Sequence, residues 1–530
     1  MKENESDFME KKVNDTLSIL SFTTALAFCN SKYRNILNLT LVGFVFLSAL
    51  LNKSYGSNFE YIDSSKTALG KPFSPFQLSV IELGSIYAVR TAIYLNTGGL
   101  QDNDYETWSI GFSERFKSKK PYRFDDNHLF INHVGHAMLP AYETAMFRIN
   151  GMGFYSSFAL QFAASGIWEF VIEAKETVSL NDVLETPIAG ASISETLFQF
   201  AQFYRRGAPT RHNKFMGALF SGPLAFNYWL NGTKRKASDQ LDIHGYDAKE
   251  YHLFKSHLGA SLYNSGFIAQ VGTEMEVVNI PNYKEPGVEN RFYMEPIGAD
   301  FAFSLGSDAR SAHEIKLLMQ TQFATFHSKN ISRDISGKVQ GTSFLIGAAS
   351  GFEINYAQFP NVTDNLITVH MLGIGADVST INAKTRFGIK TKLYGDYASV
   401  SSQAMDQYIT RHSGLYDVKH TLREGYYHAF GPAVLSDIEF KHGRFLLGSK
   451  IFWAQYASLD GFDRHQEKVY NDFHMTDKRL NTKTWIAYLP TPSLELQIGY
   501  ENREWNSTIA NEEGRNVKLD LFFGRVVWVY

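Results

Sequence analysis

From about residue 251 onward the chain alternates polar and apolar residues with a period of two, over runs longer than an ordinary sheet uses. Lys384, Arg386, Gly388, Lys390, Lys392 and Asp396 fall on one face of an extended strand, and Thr385, Phe387, Ile389, Thr391, Leu393 and Tyr397 on the other. In the next clear case, Leu494, Leu496, Ile498 and Tyr500 oppose Glu495, Gln497, Glu501 and Arg503. A soluble sandwich would also alternate. Here parity is kept for longer than the ~5–6 residues of a typical globular strand, and it reaches the ~9–11 that a tilted membrane strand needs. Charge recurs on the polar face as in a wet lumen, and the chain ends on the aromatic run Trp528-Val529-Tyr530. Together these features predict an all-β transmembrane barrel of about 12 antiparallel strands, preceded by an α-helical region.

The predicted strands lie near 251–263, 266–279, 290–305, 313–328, 341–358, 367–380, 383–398, 428–442, 444–457, 478–490, 494–505 and 515–530. The tight connection near Asn264–Ser265 falls where a long loop is expected. On the last strand Lys518 and Asp520 place even positions in the lumen, whereas Trp528 and Tyr530 place them toward lipid. A β-bulge near Gly524–Arg525 would reconcile the two.

Composition narrows the classes. Aromatics make up 15% of the 530 residues, with 42 Phe and 28 Tyr, as strands and membrane rims require. The mean hydropathy of -0.21 is too polar for a bundle of membrane helices, yet it suits a barrel that shows lipid every second residue. A net charge of -3 gives no basic surface for nucleic acid. The one cysteine, Cys29, precedes the expected cleavage point, so no disulfide framework is expected in the mature chain. Residues 36–51 form an apolar run of signal-peptide length, preceded by Lys32 and Arg34, with Ser54 and Gly56 placed for cleavage. The expected division is 1–56 as extension and signal peptide, 57–235 as a helical domain, and 236–530 as the barrel. The expected location is the outer membrane.

Helical periodicity covers about 73–232, with candidates at 76–95, 155–176, 192–204 and 213–230. Ser157, Gln161, Ser165, Glu169 and Glu173 recur every four residues on an otherwise apolar helix, so they share one face. Carboxylates there are costly unless paired or hydrated. Upstream stand His133, His136, Glu143 and Arg148; downstream stand Ser179, Asp182 and Glu195.

The stretch from Asn132 to Asn227 resembles a domain-of-unknown-function family of Gram-negative envelope proteins. The resemblance rests on Asn132, His136 and Arg148, on Ser165-Gly166-Ile167-Trp168-Glu169 with Glu173, and on Ser179-Leu180-Asn181-Asp182. It continues through Thr186-Pro187, Gly190, Glu195, Pro223 and Asn227. Ala137 stands where the family has Pro. The resemblance implies an outer-membrane barrel and no known activity.

His133, His136, Glu143, Arg148, Glu169, Glu173, Asp182 and Glu195 are therefore the candidate polar cluster. It can be read as a buried network joining helices, as a metal site or as an acid–base set. His136, Arg148, Glu169 and Glu173 are expected to converge. No cofactor is required, and a metal at the His/Glu cluster is the one candidate. The lumen-facing set is Lys384, Arg386, Lys390, Lys392, Glu495 and Glu501, and the cations are expected to pair with lumen acids such as Asp300. Expected partners are outer-membrane lipids and the barrel-assembly machinery. Two functions stay open. One is a non-catalytic envelope structural, channel or lipophilic-cargo protein, which is the favoured reading. The other is an enzyme acting on lipid or lipopolysaccharide.

Overall fold

A computed structural model describes residues 73–96, 122–125, 127–173, 176, 178–221, 237–263, 266–308, 312–360, 362–411, 425–459, 474–509 and 514–530. The expected signal peptide, Pro223, Asn227 and the Asn264–Ser265 connection lie outside them. The chain forms two compact units. One is drawn from residues up to 123 and from 146–179; the other comprises 124–145 and 180–530. The helices from residue 180 onward thus group with the strands.

The first unit holds α1 (Pro75–Asn96), the end of α2 (His136–Ile149), α3 (Phe154–Ile167) and a two-residue parallel pair, β1 (Tyr122–Arg123) with β2 (Val178–Ser179). Ser74 and Gln77 cap α1 reciprocally. Phe76, Leu83, Tyr87, Phe147, Leu160 and Ile172 form its core. Trp168 packs edge-on against Tyr87 and lies 3.8 Å beneath the Arg90 guanidinium. Helix α3 gives way to a π-turn at Trp168–Ile172, so the expected helix stops short of Glu176.

The second unit is a closed antiparallel barrel of twelve strands: β3 (Tyr251–Tyr263), β4 (Gly266–Val278), β6 (Gly298–Ser307), β7 (His313–Arg333), β8 (Val339–Phe359), β9 (Val362–Asn382), β10 (Thr385–Ser401), β11 (Tyr427–His442), β12 (Phe445–Ser458), β13 (Met475–Thr491), β14 (Leu494–Ile509) and β15 (Arg515–Val529). Pairing of β15 with β3 closes the ring. The strand expected at 290–305 is two elements. Short β5 (Gly287–Tyr293) pairs only with the end of β7, and β6 alone enters the ring.

Ion pairs identify the inside, because strands that are not neighbours can meet only across the lumen. Lys255 of β3 reaches Glu439 of β11 at 2.9 Å, and Lys450 of β12 reaches Glu274 of β4 at 2.7 Å. Arg503 of β14 bonds Glu314 of β7. The opposite parity presents exposed Leu258, Phe267, Leu372, Leu393, Leu447, Ile486 and Ile498. That arrangement, charged within and apolar without, is the order of a membrane barrel.

The expected bulge at Gly524–Arg525 is absent. Strand β15 pairs with β14 from Arg515 to Trp528 without a register shift. Lys518 and Asp520 face outward like Trp528, where Lys518 meets Glu504 and Tyr500 donates to Asp520. Odd-numbered Val517, Leu519 and Leu521 fill the lumen there with Ile268, Phe359 and Trp505. On this stretch of β15 the inward residues are apolar and the polar ones stand outward, paired with Glu504, Tyr500 and Asn502.

Three described helical segments of this unit lie on the outer wall. They are the start of α2, α4 (Thr186–Arg206) and α5 (Arg211–Phe220). Ala189 and Ile193 of α4 pack with Met319, Phe352, Ile367 and Val369, which share the outward parity. Farther along, Phe200 and Phe203 stack on Phe301 and Phe254. A 21-residue helix is about 31 Å long, close to the ~30 Å of a hydrocarbon core. Helix α4 thus runs the height of the wall, from β9 at the rim of the long connections to β3 at the opposite rim.

Candidate functional site

Two of the motif blocks close on one another through backbone irregularity. Ile131–Gly135 and Asn181–Glu185 are both π-turns, which widen the helix by one residue and re-aim side chains. Asn181 lies at their junction. It accepts from the Asp125 backbone N–H at 2.9 Å and donates to Asn132 Oδ1 at 2.9 Å. Asn132 in turn donates to the Asp125 carbonyl at 3.1 Å and to the Tyr426 hydroxyl at 3.0 Å. These bonds hold the segment 125–136 against 181–186.

Beside this frame, His136 Nδ1 lies 2.8 Å from Asp182 Oδ1, and the Thr186 hydroxyl donates to the same oxygen at 3.0 Å. The Asn127 amide donates to Asp125 Oδ2 at 2.5 Å. One ligating atom each from Asp125, His136 and Asp182 lie within 4.8 Å of one another. His136 is about one-third exposed and Asp182 12% exposed, so the group opens on one side.

A second histidine pair sits deeper. His133 Nε2 is 2.5 Å from Ser399 Oγ on β10, and its Nδ1 is 3.6 Å from Glu185. Both side chains are 1% exposed. Burial pushes the Glu185 carboxyl up, and nearby His133 opposes the shift. His428 and Tyr397 continue the network along the outer wall, with the tyrosine oxygen 2.6 Å from His428 Nδ1.

The eight candidate residues divide between the two units. His136 and Asp182 come together, and so do the neighbouring His133 and Glu185. Glu143 and Glu195 are fully buried in the same unit, Glu195 accepting from Gln199 at 2.6 Å. Arg148, Glu169 and Glu173 belong to the other unit. There Arg148 donates to the Met152 carbonyl, Glu169 accepts from the Ser179 backbone N–H at 3.0 Å, and Glu173 accepts from the Trp168 indole at 2.7 Å. Each of these three bonds ties a helix end to its own neighbourhood. Asp125, Ser399 and His428 escaped the sequence reading, and Asn181 was named only within the family motif. Only the run Asp125-Asp126-Asn127 just ahead of the first motif marked the place.

Of the lumen set, Lys390 bonds Asp300 at 2.6 Å and Glu276 at 3.2 Å, and Lys392 bonds Asp300 at 2.5 Å. Glu501 bonds Arg503 and meets Lys316, while Glu495 accepts from Gln497. Arg386 lines the same cavity. Lys384 sits in the β9–β10 turn and is exposed.

No curated protein matches the chain. Among solved structures, it is similar to a loop-deleted OmpT, an outer-membrane protein of Vibrio cholerae, at 5% identity and a TM-score of 0.19. That match covers 53% of this chain and 99% of the other. The outer-membrane protein opdK of Pseudomonas aeruginosa matches at 8% identity and 0.15, covering 53% and 98%. A porin refined at 1.8 Å matches at 8% and 0.17, covering 53% and 100%. Scores this low add nothing to the barrel that the strand register already establishes. Residues 121–223 match DUF3943, a domain of unknown function, and the chain thus carries a DUF3943 region joined to a twelve-stranded barrel of outer-membrane type.

Proposed function

We propose that this is a non-conducting outer-membrane protein whose working surface is the helix-covered outer wall, not the lumen. The observation that carries the reading is inward packing near both rims, which narrows the lumen there. At the rim of the long connections, α6 (Met405–Arg411) packs Met405 and Tyr408 against inward Ala398, Val400, Tyr427 and Tyr456. Beside that cluster lies the layer of Trp505, Leu519 and Leu521. At the opposite rim the β4–β5 connection turns inward, with Tyr283 and Lys284 bonding Asp377 at 3.0 and 2.7 Å and Ile280 packed on Leu345. Between these caps ion pairs hold Lys390 and Lys392 on Asp300, so that stripe is not free to select anions.

The channel reading is therefore disfavoured, and what remains is an envelope protein that meets lipid or lipophilic cargo along the wall. A second reading, catalysis on a lipid head group, is favoured only by the partly open Asp125–His136–Asp182 group. Purified protein in planar bilayers tests the proposal. No stepwise conductance is expected from the intact chain, and a steady open conductance overturns the reading.

A further inference from the structure

We propose that Asp125, His136 and Asp182 bind one divalent metal ion of the zinc class. Two carboxylates and an imidazole place one donor atom each within 4.8 Å of the others, and the two aspartates are nearly buried. A divalent cation between the two carboxylates would favour their charged forms at this separation.

Mixed imidazole and carboxylate donors suit zinc, manganese or ferrous iron rather than calcium or magnesium, which take oxygen alone. Donors on a tetrahedral zinc sit roughly 3.3 Å apart, so atoms that all lie within 4.8 Å of one another are within reach of one shared ion. The surroundings are those of a supported site. Asn127 and Thr186 each donate to one ligand carboxylate, and Asn181 fixes the Asp125 backbone. Two π-turns aim His136 and Asp182 at each other across 46 residues of sequence. Three protein ligands and a one-third-exposed imidazole leave a coordination position open to water or to an anionic ligand.

The test uses the full chain in detergent micelles, treated with chelator and then titrated with zinc by calorimetry. A parallel titration with cobalt is read by its visible absorption. One zinc per chain and a cobalt band are expected. D182N and D125N should each weaken zinc at least tenfold, and H136Q should abolish the cobalt band of a nitrogen-ligated site. The lumen variant E274Q should titrate like wild type. Absence of saturable zinc and cobalt binding by wild type overturns the proposal, as does full affinity in both aspartate variants. Should those variants fail to fold, the wild-type unfolding temperature decides. A rise on adding zinc supports the site, and no change overturns it. Conductance is not involved, so failure here leaves the non-conducting reading standing.

Discussion

At the scale of single residues, the lumen holds charges that only their partners make tolerable. Arg479 is 1% exposed and bridges Asp364 at 2.5 Å and Asp477 at 2.5 Å, with Ser507 donating to the same Asp477. Truncating it strands two buried carboxylates. Arg479→Ala is expected to cost roughly 3–5 kcal/mol, read as a lower unfolding temperature of the barrel. Arg479→Lys should recover only part, since an ammonium lacks the planar fork that meets both carboxylates. Glu169 is the corresponding case among the helices. Its carboxylate satisfies the backbone N–H of Ser179, so Glu169→Ala should cost about 1–3 kcal/mol, while Glu169→Gln keeps an acceptor and should cost less. If Glu169→Ala unfolds at the wild-type temperature, that bond is dispensable. The pairing of Lys390 with Asp300 could be anticipated from strand parity, because alternation puts both on the wet face. The meeting of His136 with Asp182 could not be read from spacing. Periodicity places residues only within one element, and this contact joins two.

Among elements, the crossing of α2 with α4 explains a glycine that the motif marked and local structure does not require. A Cβ on Gly190 would lie 2.5 Å from Pro140 Cβ and 2.9 Å from the Ala141 backbone nitrogen. The two helices can approach this closely only without a side chain there. Gly190→Ala must push the helices apart, and a loss of about 1–3 kcal/mol is expected. Thermal unfolding of the folded protein measures it, and an unchanged midpoint would mean that the crossing is looser than the geometry implies. On β10 the alternation was fully legible. Lys390 and Lys392 point in, and Phe387 and Leu393 stand exposed on the outside. Ile389→Arg should therefore cost ~2–4 kcal/mol if that level is near the bilayer midplane, less nearer a rim. The same logic misled on β15. Lys518 and Asp520 obey the alternation but not its meaning, since they stand outward, paired with Glu504, Tyr500 and Asn502. Period-two patterning fixes parity; which parity faces the lumen is a property of the closed ring.

For the whole molecule, the barrel was legible because lipid and water sort side chains by strand parity, whereas the position of the helices was not. Helix α4 is buried nearly all round although it is rich in Ser, Thr, Gly and Ala and carries Glu195 and Gln199. Small residues let it lie close to a neighbouring surface, and that property reads the same for a lumen plug, a soluble bundle or a wall-mounted helix. What distinguishes them is the partner: Ser192 meets Ser350 at 2.6 Å, and Ala189 and Ile193 meet Met319 and Phe352 on the outward face. If helices cover that wall while the rest of the ring faces lipid, outward positions must fall into two classes of lipid access. Cys29 is the only cysteine, so Cys29→Ser gives a thiol-free background in which single cysteines report their surroundings. In lipid vesicles, Leu393→Cys, on open wall and 51% exposed, should react quickly with a membrane-soluble maleimide. Met319→Cys has the same outward parity but is 8% exposed under α4, and it should react slowly until the protein is unfolded. Equal fast labelling at both positions would mean that α4 does not cover the wall in a bilayer, and the working surface proposed for it would then have to be sought elsewhere.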